Sequence, residues 1–202
     1  MLKTINQKES LASSPNEGYF LPKVQRCYSL MLSSKTRKGY AGNIAKEVVS
    51  LIQALGSEAL LFIGEAEIRS LYQENDQPTE RSSLPCLSEK KIGRKFTGRF
   101  EIPSNELPSF LTDLILLMHC NATAPVVNFL DKDKHFTGSI CKHGNIHFFT
   151  LDKKCDTRLS NALRKSSFAI IQEDKCYDQF AKTAPVKEKE TLLLGKAIPI
   201  LS

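Results

Sequence analysis

His135, Asp152 and Cys176 are the residues of this chain whose types and order best suit chemistry. The stretch from Lys134 to Asp152 reads as a β-hairpin turning at His143-Gly144. A tight turn there sets Cys141 against Ile146, Thr137 against Thr150 and His135 against Asp152. Directly opposed residues hold their Cβ atoms roughly 4.5–5.5 Å apart on one face. An imidazole and a carboxylate at that spacing can share a hydrogen bond that fixes the tautomer and raises basicity. Cys176 follows the apolar run Phe168–Ile171 and a short polar link, and opens an expected helix. A thiol at a helix N-terminus gains thiolate character from the unpaired backbone N–H groups. Gln172 could then donate to an oxyanion, together with the Cys176 backbone N–H. The chemistry would be nucleophilic acyl transfer, with His135 as base, Asp152 as its orienter and Cys176 as nucleophile.

Two other constellations compete. Cys141 and His147 lie nearly opposite across the same hairpin, with His143 in its turn and His119-Cys120 upstream, so two metal ligands could converge. The chain has no C-x-x-C pair or other paired ligand motif of the structural-zinc type, and no metal is assigned. The densest basic stretch, Lys90 to Arg99, offers Lys91, Arg94 and Lys95 as polyanion contacts. Such runs are ordinarily solvated faces, and Phe96 is the one aromatic within this one for a base to stack on.

These side chains depend on the elements that carry them. Ile44, Val48, Leu51, Ile52 and Leu55 share one helical face over 42–55, closed by Gly56. Residues 59–63 read as a buried strand, 65–72 as a short helical stretch, and 73–91 as a loop. A strand is expected over 92–102. Ser104 or Asn105 then caps a helix whose apolar face runs from Leu107 to Met118. After Pro125 the period changes to two, which predicts strands over 126–130, 136–141 and 146–151. A short helix over 157–164, a strand over 168–171 and a helix over 176–181 complete the pattern. The fold class is α+β, a mostly antiparallel sheet flanked by helices. Residues 1–20 form a polar lead, 21–182 one domain, and 183–202 a tail.

Composition sets the outer limits. A chain of 202 residues, 41% hydrophobic and 25% charged, is neither fibrous nor wholly disordered. Its net charge of +6 favours acidic partners without naming one. An apolar run such as Leu114 to Met118, and none is longer, falls far short of a membrane span. The N-terminus has no apolar core of a signal peptide. Six scattered cysteines fit reduced thiols of the cytoplasm, or a protein exported without a signal peptide.

The stretches KHFTGSICKHGNIHFFTLD (134–152) and SFAIIQEDKCYDQFA (167–181), with the preceding ELPSFLTDLILLM and PVVNFLD, resemble the CE clan of cysteine enzymes. That clan contains ubiquitin-like-protein proteases and YopJ-type effector acetyltransferases. The resemblance covers roughly residues 105–182 and implies a CE-clan protease-like fold with His135, Asp152, Cys176 and Gln172 in the roles above. It also implies either acetyl-CoA as acyl donor to Ser, Thr or Lys of a target protein, or hydrolysis of an isopeptide bond. In the YopJ-type case it implies inositol hexakisphosphate as a bound polyanion. Tyr177 stands where the clan places Gly after the nucleophile, which favours a second reading, a non-enzymatic adaptor or immunity protein binding an acidic partner. A third reading is nucleic-acid binding through 90–99, with affinity falling steeply as salt rises.

Overall fold

The computed structural model describes residues 23–34, 36–64, 83–93, 98–120, 127–141, 143–171 and 176. In chain order the elements are β1 (Arg26–Met31), α1 (Arg37–Leu55), β2 (Ala59–Gly64), α2 (Pro85–Glu89), β3 (Gly98–Pro103) and α3 (Leu107–Cys120). They continue as β4 (Val127–Asp131), β5 (Phe136–Ile140), β6 (Ile146–Thr150), α4 (Lys153–Leu163) and β7 (Ala169–Ile171). The strands form one seven-stranded sheet, ordered β3-β2-β4-β5-β6-β1-β7, and every pairing is antiparallel. The fold is α+β.

Local chemistry explains the long elements. The Thr36 hydroxyl caps α1 by accepting from the Gly39 N–H at 3.1 Å, and Gly56 ends the helix at φ 83°. The apolar face of α1 is buried, and α1 packs against both α3 and α4. Across the sheet runs a row of directly paired residues: Phe100, Phe62, Phe129, Gly138, Phe148 and Tyr28. Phe110 of α3 meets Phe62 and Phe100 edge-on, with ring centroids 5.1 and 5.6 Å away, so this is the face that the helices cover. Gly138 is small because a Cβ there would lie 2.3 Å from the Phe129 ring. Among the described residues no helix is long and apolar enough to cross a membrane.

The hairpin differs from expectation by one residue. Phe136 pairs with Thr150 and Ile140 with Ile146, so His135 lies opposite Leu151 rather than Asp152, and Thr137 opposite Phe149 rather than Thr150. The cause is the loop. Cys141 pairs with Asn145, and Gly144 takes the left-handed conformation at φ 77°, which makes a three-residue connection rather than an even one. An uneven loop shifts the register by one and exchanges the faces.

Other boundaries also move. Strand β1 was not anticipated. Helix α1 begins at Arg37 and α4 at Lys153, a short helix α2 lies within the expected loop, and the strand expected from residue 92 begins at Gly98. Cys176 makes an isolated β-bridge, and the helix expected to follow it lies outside the described residues. The polar lead, the stretch 65–72, residues 177–181 and the tail lie outside the described residues.

Candidate metal and thiol centre

The face opposite the aromatic row carries a second row of paired residues: Asn128, Ser139, His147, Ser29 and Ile171. Neighbouring positions on a strand point to opposite faces, so the polar row follows from the alternation of the aromatic one. Ser29, Ser139 and His147 are all buried. Cys141 continues the Ser139 side of its strand, which makes it a diagonal neighbour of His147 across the hairpin.

Cys176 completes the cluster. Its Sγ lies 3.2 Å from His147 Nε2 and 3.9 Å from Cys141 Sγ. The Ser29 hydroxyl stands 3.1 Å from the other ring nitrogen, Nδ1. That contact orients the imidazole so that Nε2 faces the two sulfurs. One ligand atom from each of Cys141, His147 and Cys176 lies within 4.8 Å of the others. Cys141 is 0%, Cys176 3% and His147 8% exposed, so the cluster is dry.

The surroundings favour a thiolate. Burial pushes the Cys141 thiol up, but hydrogen bonds from Cys176 and His147, the charge of His147 and the His143 backbone N–H outweigh it. The net result holds Cys141 well below the ordinary thiol range. The Asn145 amide adds a donor 3.7 Å from the same sulfur. Cys86 and Cys155 behave in the opposite way: burial raises both thiols to about 12, and they stay protonated.

The separations suit a metal ion. Tetrahedral zinc holds sulfur at about 2.3 Å and imidazole nitrogen at about 2.0–2.1 Å, which sets sulfur pairs about 3.8 Å apart and sulfur–nitrogen pairs about 3.5 Å apart. The observed 3.9 and 3.2 Å fall within a few tenths of an ångström of these. Two thiolates and a neutral imidazole would also cancel the charge of a divalent cation, which a dry site needs. Ser29 on Nδ1 and the donors on Cys141 are the kind of outer partners that orient metal ligands.

The residues expected from sequence are distributed differently. His135 Nδ1 and Asp152 Oδ2 do meet, at 2.8 Å, but their side chains are 59% and 38% exposed. Asp152 is the cap of α4, accepting from the Cys155 N–H at 2.7 Å. This N–H, more than His135, holds its carboxyl below the usual range. The His135 pair sits at the opposite end of the hairpin from Cys141, six residues or about 20 Å along the strand. The imidazole beside Cys176 is therefore that of His147, not His135, and its other ring nitrogen meets Ser29, not Asp152.

Gln172, Arg94 and Lys95 lie outside the described residues, as do the side chains of His119 and Cys120. Lys91 is exposed, at φ 58°. A second group, Asp131, Asp133 and His135, also brings ligand atoms together. Asp131 is already engaged there, accepting from the Ser57 hydroxyl at 2.6 Å and the His135 N–H at 3.1 Å.

Sequence reasoning paired Cys141 with His147 but missed Ser29 and the joining of Cys176 to them. The alternation of Cys27, Ser29 and Met31 with Tyr28 and Leu30 was the available signal for β1. No signal in the chain reports a contact between sulfurs 35 residues apart. No family model, no curated protein and no solved structure matches the chain.

Proposed function

We propose that the chain is a zinc-binding protein whose metal is held by Cys141, His147 and Cys176. The observation that carries this is the convergence of two sulfurs and an imidazole nitrogen within 4.8 Å of one another in a dry site, with the two separations that involve Cys176 near tetrahedral ones. Soft thiolates with one imidazole suit zinc better than magnesium or calcium, which take oxygen ligands. The metal would fasten residue 176 to the β5–β6 hairpin and so close a long stretch of chain onto the polar face of the sheet. Metal analysis of the purified full chain tests the proposal directly. One zinc per chain is expected, and it should be lost in Cys141→Ser and His147→Ala. A metal-free chain that also fails to take up added zinc would refute it.

The 3.2 Å contact between Cys176 and His147 supports a second reading, the acyl transfer that the CE-clan resemblance implies. In that case His147 Nε2 takes the thiol proton and the Cys176 sulfur attacks the acyl carbon of acetyl-CoA or of an isopeptide. The leaving group then receives the proton, and a Ser, Thr or Lys of a protein target, or water, accepts the acyl group. The 3% exposure of Cys176 ranks this second, because a nucleophile must meet its acyl donor and a structural ligand need not. Incubation with acetyl-CoA and mass analysis of residue 176 separates the two. An acetyl thioester on the metal-free chain supports transfer, and an unmodified thiol excludes transfer from acetyl-CoA.

A further inference from the structure

We propose that peroxide oxidises Cys141 and Cys176 to a disulfide and thereby releases the metal, so that the centre is gated by redox state. The release rests on the zinc reading above, whereas the disulfide depends only on the two sulfurs. They stand 3.9 Å apart, and a disulfide needs about 2.05 Å, so about 1.9 Å of closure is required. His147 holds the Cys176 sulfur on the Cys141 side, and the Asn145 amide flanks the Cys141 sulfur.

The chemistry balances with hydrogen peroxide as the oxidant. The Cys176 sulfur, a thiolate when it ligates zinc and the more exposed of the two, attacks one peroxide oxygen and breaks the O–O bond. This gives a sulfenic acid and a hydroxide, which a proton converts to water. The Cys141 thiolate then attacks the sulfenic sulfur, forming the S–S bond and expelling a second hydroxide, which is likewise protonated. The two sulfurs lose two electrons and peroxide gains them. A disulfide sulfur is a poor zinc ligand, which leaves His147 alone to hold the ion, too little to retain it.

Two other thiols are poor competitors. Cys155, and the half-buried Cys86, stay protonated, and protonated thiols react poorly with peroxide. Peroxide is close to water in size, so reaching a sulfur in this site asks far less room of it than of a bulkier thiol reagent.

The test uses the full-length, zinc-loaded chain titrated with hydrogen peroxide. It is followed by intact mass, by a non-reducing peptide map and by a chromogenic zinc chelator. The expected result is loss of the mass of two hydrogens, a linked peptide joining residues 141 and 176, and one zinc freed per disulfide. A dithiol reductant should reverse the linkage and restore zinc uptake. Cys176 found as sulfinic acid beside a free Cys141 would overturn the proposal. So would a zinc-loaded chain that keeps its metal and both thiols through the titration, a result that leaves the zinc reading intact. A chain that never carries zinc yet forms the 141–176 linkage supports the disulfide and overturns the zinc reading instead.

Discussion

Removing the metal should lower the melting temperature of the wild-type chain by about 8–16 °C. A ligand that binds the folded state stabilises it by RT ln(1 + [L]/Kd), about 4 kcal/mol at free zinc a thousandfold above Kd. In a chain of 202 residues each kcal/mol shifts Tm by about 2–4 °C, and the product gives the range. The structure explains why this much should be at stake. Without the cation Cys176 is held by its contacts to His147 and Cys141 instead of a metal bond. The assay is thermal unfolding with and without a strong chelator, followed by zinc added back. Cys141→Ser supplies the control: it should melt near the chelated wild type and show no response to either reagent. A wild-type Tm unmoved by chelator and by zinc would refute the reasoning, whatever the variants do.

Three further outcomes are expected. His147→Ala should abolish zinc retention while His135→Ala leaves one zinc per chain, because the His147 ring meets the Cys176 sulfur and the His135 ring meets Asp152; metal analysis after gel filtration reads both. Gly138→Ala should destabilise the fold by about 1–3 kcal/mol in urea unfolding, since its Cβ would meet the Phe129 ring and the His147 carbonyl. Asp152→Ala should cost about 0.5–2 kcal/mol at neutral pH through loss of the α4 cap. The carboxyl of Asp152 lies below its ordinary range in the folded chain, so its contribution is full above the unfolded pKa of about 3.9. That contribution fades as pH falls through the lower folded value. The wild type and Asp152→Ala should therefore converge in stability in strong acid, as urea unfolding across pH would read.

Strong periodicity made part of this fold legible and weak local signals hid the rest. Helix α3 and strands β4, β5 and β6 announce themselves because their apolar residues recur at 3.6 or at two. Strand β1 hides because its polar side, Cys27 and Ser29, faces the site rather than solvent, so the ordinary contrast between faces is blurred. The register of β5 on β6 turned on the conformation of Gly144, where a left-handed residue adds an odd position to the loop. One residue of shift opposed His135 to Leu151, and the His135–Asp152 contact survives because the cap of α4 brings the carboxylate back toward the ring. Cys176 stood out in the sequence as a nucleophile. The residues that meet it come from β6 and the end of β5, and that meeting is a property of tertiary packing.

X-ray absorption at the zinc edge of the full-length chain reaches the ligands themselves. The expected first shell contains two sulfurs at about 2.3 Å and imidazole nitrogen at about 2.0–2.1 Å, with one sulfur lost in Cys141→Ser. A shell of oxygen and nitrogen alone would contradict a centre built from Cys141, His147 and Cys176.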